Sequence, residues 1–136
     1  MNTVILPAGS GDEPPHSALV VEDNKLVAET IADGLTAMGC ESVECVTSVK
    51  AALKAVDEHD VDIAVVEAKV RGQSTEPVLD ALNANDVAHV VASHEAPNPL
   101  PQHAPYLQKP FGLPALKDAV SRAQQLMSVR SWDQVL

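Results

Sequence analysis

Five side chains in this 136-residue sequence could do chemistry together: the adjacent acids Glu22 and Asp23, the acid Glu67, the hydroxyl of Ser93, and Lys109, which precedes Pro110. Carboxylates are the hard oxygen donors that Mg²⁺ favours, one or two of them alongside water and phosphate oxygens. A lysine ammonium can pair with a carboxylate or with a phosphoryl oxygen, and a serine hydroxyl can donate to the same group. Gathered in one place, these groups would handle phosphoryl transfer. Other chemistries find less support. The histidines (His16, His59, His89, His94 and His103) show no i, i+3 or i, i+4 pair that could ligate a metal from one helix face. Cys40 and Cys45 flank a predicted strand at odd spacing, so they point to opposite faces and lack metal or redox spacing. They are expected to be free thiols in a reducing compartment.

The elements that would position these groups can be read from the hydropathy pattern. Ala18 to Val21 is a short apolar run that stops at Glu22-Asp23-Asn24, as a buried parallel strand does. Val27, Ile31, Leu35 and Met38 then recur on one helical face, closed by Gly39. Ser42 to Val46 reads as a second strand, with Thr47 as N-cap of a helix over Ser48 to Val56. Asp62 to Glu67 is a third strand ending in an acid. Ser74 or Thr75 caps a third helix, with Pro77 in its first turn and Leu79 and Leu82 facing inward. Ala88 to Ala92 is a fourth strand and Tyr106 to Gln108 a fifth. Pro114 opens a last helix striped by Leu116, Val120, Ala123 and Met127. Alternating strands and helices predict an α/β parallel sheet with helices on both faces. In such sheets functional groups collect at the carboxyl ends of the strands. Those ends are where Glu22-Asp23, Glu67, Ser93 and Lys109 fall.

Composition narrows the function. The formal net charge of −10 argues against nucleic acid, which demands a basic surface. No apolar run approaches the ~20 residues that span a bilayer. The opening residues lack a basic start and a sustained apolar stretch, so a secretory signal is not expected and the cytoplasm is. Aromatics make up only 2% of the residues, so the core must be built from Ala, Val, Ile and Leu. One domain is expected over residues 17–127, between a Pro/Gly/Ser-rich N-terminal tail (1–16) and a C-terminal tail (128–136).

VVEDN followed by a helix, a third strand ending in an acid, a hydroxyl residue after the fourth strand, and QKPF occur in that order. Together they resemble the CheY-like receiver domain of response regulators. The run EAKVRGQSTEPVLDAL, with a Pro-rich segment before YLQKPF, is similar to alphaproteobacterial single-domain receivers, whose fourth strand ends Phe-Ala-Thr-Gly. The resemblance implies a doubly wound, flavodoxin-like (βα)5 sheet of five parallel strands and a role in two-component phosphorelay signalling. It places Glu22, Asp23 and Glu67 at the Mg²⁺ site, with Glu67 at the phosphoacceptor position. Ser93, Tyr106, Lys109 and Pro110 match the residues that sense the phosphoryl group. It also implies a sensor histidine kinase or phosphotransfer protein as partner, docking on the first helix and on the fifth strand with its helix, with a homodimer as a further option.

The sequence departs from that family in three places. Glu67 stands where the phosphoacceptor Asp is expected, and its extra methylene carries the carboxylate forward by ~1.5 Å. A displacement of that size can cost ~10²-fold in a transfer that needs tight alignment. Strand four ends Ala92-Ser93-His94-Glu95 rather than Phe-Ala-Thr-Gly. Pro97, Pro99, Pro101 and Pro105 crowd the stretch between Ser93 and Lys109, so the fourth helix is expected to be short or absent. The expected function is therefore an atypical receiver, not phosphorylated at Glu67 and without enzymatic activity, that works by protein–protein interaction and binds Mg²⁺ weakly. In it Glu67 either mimics the phosphorylated state in part or pairs with Lys109 and holds the domain shut. A second reading is a genuine phosphoacceptor whose parent sequence carries Asp at position 67. A Mg²⁺-dependent phosphatase-like hydrolase is disfavoured, because such enzymes carry D-x-D at the first strand and this one ends VVEDN.

Overall fold

A computed structural model describes residues 14–135, with side chains through Val129. Most of the predicted N-terminal tail lies outside the described residues. Five parallel strands form the sheet: β1 (Ser17–Val21), β2 (Ser42–Val46), β3 (Ile63–Glu67), β6 (Ala88–Ser93) and β7 (Tyr106–Gln108), in the order β2-β1-β3-β6-β7. Helices α1 (Lys25–Ala37), α2 (Val49–Glu58), α3 (Glu76–Ala84) and α4 (Leu113–Val135) complete the flavodoxin-like α/β fold expected from the sequence. A two-stranded hairpin, β4 (Lys69–Val70) with β5 (Gln73–Ser74), was not anticipated.

Two apolar layers sandwich the sheet because successive strand residues alternate faces. Ala18, Val20, Ile63, Val65 and Val90 face α1 and α4, where they meet Ile31, Leu35, Leu116 and Val120. Leu19, Val21, Ala64 and Val66 face the other way, against Ala52, Val56, Val78 and Leu82 of α2 and α3. The strands β1, β3 and β6 are covered on both sides and are buried along nearly their whole length. Small side chains let α1 and α4 approach closely: a methyl added at Gly34 would come within 2.8 Å of Leu116 Cδ2.

Helix boundaries follow local capping. The Asn24 Oδ1 accepts from the Val27 N–H at 3.2 Å and starts α1. For α2 the cap is Ser48, whose Oγ accepts from the Ala51 N–H at 3.1 Å, and not Thr47 as expected from the sequence. Both residues have the right chemistry, but Thr47 is engaged elsewhere. The last helix continues past Met127 to Val135, where the sequence suggests a tail. Between β6 and β7 no helix forms, and residues 94–105 run as an irregular loop. The prolines account for this, since each removes a backbone donor that a helix would need. Cys40 is buried, Cys45 exposed, and both are free thiols.

Candidate functional site

The carboxyl ends of β1, β3 and β7 bring three of the predicted residues into contact. Glu22 immediately follows β1 and is only 2% exposed, and Lys109 immediately follows β7 and is 7% exposed. The Lys109 Nζ donates to Glu22 Oε1 in a short, buried contact. The same ammonium lies 2.5 Å from Oε2 of Glu67, the last residue of β3. That oxygen is buried and has no aligned hydrogen-bond donor, so the contact is one of charge more than of directed bonding. One lysine is thus shared by two carboxylates from the adjacent strands β1 and β3.

The electrostatics follow from this sharing. Burial pushes the Glu67 carboxyl above its ordinary value of 4.5, and the adjacent Lys109 ammonium offsets only part of the shift. Burial alone would lower the Lys109 pKa. The bonds and charges of Glu22 and Glu67 outweigh it, and the ammonium is held above 10.5.

Asp23 is separate. It is exposed, and its Oδ2 accepts from the Arg71 backbone N–H at 2.7 Å, which is the main reason its pKa lies below 3.8. Arg71 sits at the tip of the β4–β5 hairpin, where Arg71 (φ 50°) and Gly72 (φ 76°) both take the left-handed conformation that a tight two-residue turn needs. Its guanidinium Nη2 donates to Thr47 Oγ1 at 2.9 Å, so the hairpin ties the loops after β1 and β2 together. The base of the hairpin is fixed by Thr75, 1% exposed, whose hydroxyl lies 2.6 Å from Glu67 O and 3.0 Å from Ala68 O. Sequence reasoning missed Arg71 and its hairpin: Arg-Gly is not one of the Asn-Gly or Asp-Gly type pairs that mark a two-residue turn, and the strands on either side are only 2 residues each.

Ser93 and Tyr106 form their own pair. The Tyr106 hydroxyl donates to Ser93 O at 3.0 Å and lies 3.3 Å from Ser93 Oγ. The Ser93 hydroxyl itself turns to Glu95 O. Among the described residues no hydrogen bond joins Ser93 to Glu67. Pro110, joined to Lys109 by a cis peptide bond, is exposed.

The arrangement does not fit a Mg²⁺ ion. Two of the three expected ligands are turned onto the Lys109 ammonium, and the third onto a backbone N–H. Among the described residues no group of three or more His, Cys, Asp or Glu side chains is disposed to hold a metal. The three acids therefore do not act as one donor set in this conformation.

Comparison with known proteins adds the following. No family model matches the sequence, and no curated protein matches it. Among solved structures, the solution structure of SdrG from Sphingomonas melonis Fr1 is 30% identical, with a TM-score of 0.71 over 80% of this chain and 95% of that one. The chemotaxis response regulator CheY4 of Vibrio cholerae is 16% identical, with a TM-score of 0.69 over 79% of this chain and 98% of that one. The response regulator PhyR from Brucella abortus is 18% identical, with a TM-score of 0.71; the match covers 93% of this chain but only 54% of PhyR. The last two share the fold, and the first shares both fold and a substantial part of the sequence.

Proposed function

The chain belongs to the receiver family of response regulators, and from that premise we propose that it signals without being phosphorylated at Glu67, as a non-enzymatic module that binds a partner protein in the cytoplasm. The observation behind this reading is the Lys109 ammonium bound between Glu22 and Glu67. A lysine ammonium can hold a phosphoryl oxygen, and carboxylates can hold a metal. Here each satisfies the other. The extra methylene of Glu67 places its carboxylate within ion-pair reach of Lys109, and the pocket is closed by its own charges.

The same contacts favour a lock over a mimic of the phosphorylated state. A mimic should draw the Ser93 hydroxyl towards the added negative charge, whereas Ser93 donates to Glu95 O and Tyr106 stays on Ser93 O. The partner in this reading is a sensor histidine kinase or a phosphotransfer protein. The α1 surface beside the pocket offers Lys25, Glu29 and Asp33, all exposed, and Leu26 at 74% exposure. A bound but unreactive receiver would act by excluding a reactive one.

A Mg²⁺ titration followed by amide chemical shifts tests the closed pocket. Through low millimolar metal, Glu22, Asp23 and Glu67 should show no saturable response beyond that of other surface acids. Saturable shifts centred on Asp23 would mean that the carboxylates rearrange into an open metal site, and the lock would be refuted.

A further inference from the structure

The crossover from β6 to β7 is made by an irregular loop where a parallel sheet normally carries a helix. Its consequence is a cleft of about 930 Å³ between α3, the carboxyl end of β6 and the loop itself. A helix is a cylinder ~10 Å across that rises ~1.5 Å per residue, so this volume holds roughly two helical turns. Resting on the receiver reading above, we infer that the cleft is the docking site for a short, basic, amphipathic helix of the partner protein.

Both the shape and the lining support that occupant. Glu76 and Asp80, one turn apart on α3, line the cleft on one side, and Glu95 lines it on the other. All three are exposed, and among the described residues none has an ion-pair partner. Among the described lining residues Lys69 is the one lysine or arginine, beside the histidines His89, His94 and His103. Leu79 and the 55% exposed Leu100 also line the cleft and offer apolar surface to the inner face of a helix. A basic helix would gain charge contacts along the rim and bury its apolar side, the pattern of helix-in-groove recognition. A second copy of this chain is a poor candidate, since each copy carries a net charge of −10.

The test is binding of a fluorescent Lys/Leu amphipathic peptide of roughly 12 residues, about three turns, with a Glu/Leu peptide of the same length as comparison. The basic peptide should bind saturably and shift the amides of Leu79, Asp80, Glu95 and Leu100, while the acidic one should not bind. The double variant Glu76→Lys, Asp80→Lys should weaken binding about tenfold, as loss of two exposed charge contacts allows. The control variant Asp57→Lys, Glu58→Lys, at the end of α2, should leave it unchanged. Equal weakening by the control pair would mean non-specific attraction to an acidic protein and would overturn the inference. So would shifts confined to α1, a dimer that dissociates when Glu76 and Asp80 are reversed, or tighter peptide binding once residues 1–13 are removed. The last two outcomes would make a second copy or the chain's own N-terminus the occupant. Glu67 also lines the cleft, but these readouts are taken at Leu79, Asp80, Glu95 and Leu100 and the Mg²⁺ titration at Glu22, Asp23 and Glu67, so failure of one reading is distinguishable from failure of the other.

Discussion

Replacing Lys109 with Met should destabilise the domain far more than an ordinary substitution. Methionine keeps most of the side-chain volume but removes the ammonium paired with both Glu22 and Glu67. Removing one partner of a buried ion pair costs ~3–5 kcal/mol, because the remaining charge is left buried without compensation. Here two carboxylates would be left, of which Glu22 is 2% exposed. Against a total stability of ~5–15 kcal/mol for a domain, that is a large fraction. Protonation offers the variant a partial escape. In the folded state the Glu67 carboxyl, raised by burial, holds its proton more tightly than in the unfolded chain, so the variant gains stability as pH falls towards the ordinary carboxyl value of 4.5. Urea unfolding of both proteins should show a loss of ~3–5 kcal/mol at about pH 7 that narrows at about pH 5. Adding Glu22→Gln and Glu67→Gln to the variant should recover most of it. A loss below ~1 kcal/mol, or one indifferent to pH, would mean the three groups are not a coupled buried cluster.

Other perturbations probe the surrounding structure. Because the Lys109 pKa is raised, its stabilisation is fully present below 10.5 and lost as pH rises through the folded value, so unfolding midpoints should fall in that alkaline range and not do so in the Lys109→Met variant. Thr75→Val removes the hydroxyl that holds Glu67 O and Ala68 O and should cost ~1–2 kcal/mol in chemical denaturation. Gly34→Ala sets a gain of ~1 kcal/mol in helix propensity against ~1–3 kcal/mol of overpacking on buried Leu116, so a net loss of ~1 kcal/mol is expected in thermal unfolding.

The sequence made the fold legible because its signals were redundant. Apolar runs that stop at acids, a stripe at Val27, Ile31 and Leu35, and four prolines in one crossover each carry a structural meaning unaided. The site was legible at the level of position: Glu22, Glu67 and Lys109 could be assigned to neighbouring strand ends from topology alone. Their pairing was less so. Whether Lys109 serves Glu67, Glu22 or both depends on side-chain reach between residues 87 positions apart, which no periodicity encodes. The β4–β5 hairpin escaped because strands of two residues are too short to show alternation, and with it went the capture of Asp23 by Arg71. The choice of Ser48 over Thr47 as cap was settled by that same distant arginine.

The central claim is that Glu67, by reaching Lys109, removes the site from phosphoryl chemistry. Intact-mass measurement of the wild-type chain and of Glu67→Asp, each incubated with acetyl phosphate and Mg²⁺, tests it most directly. The shorter aspartate would free Lys109 from its second carboxylate and restore the spacing that the receiver family uses. The account predicts no phosphate-sized adduct on the wild-type chain and one on Glu67→Asp. An adduct on the wild-type chain that disappears in Glu67→Gln would contradict it.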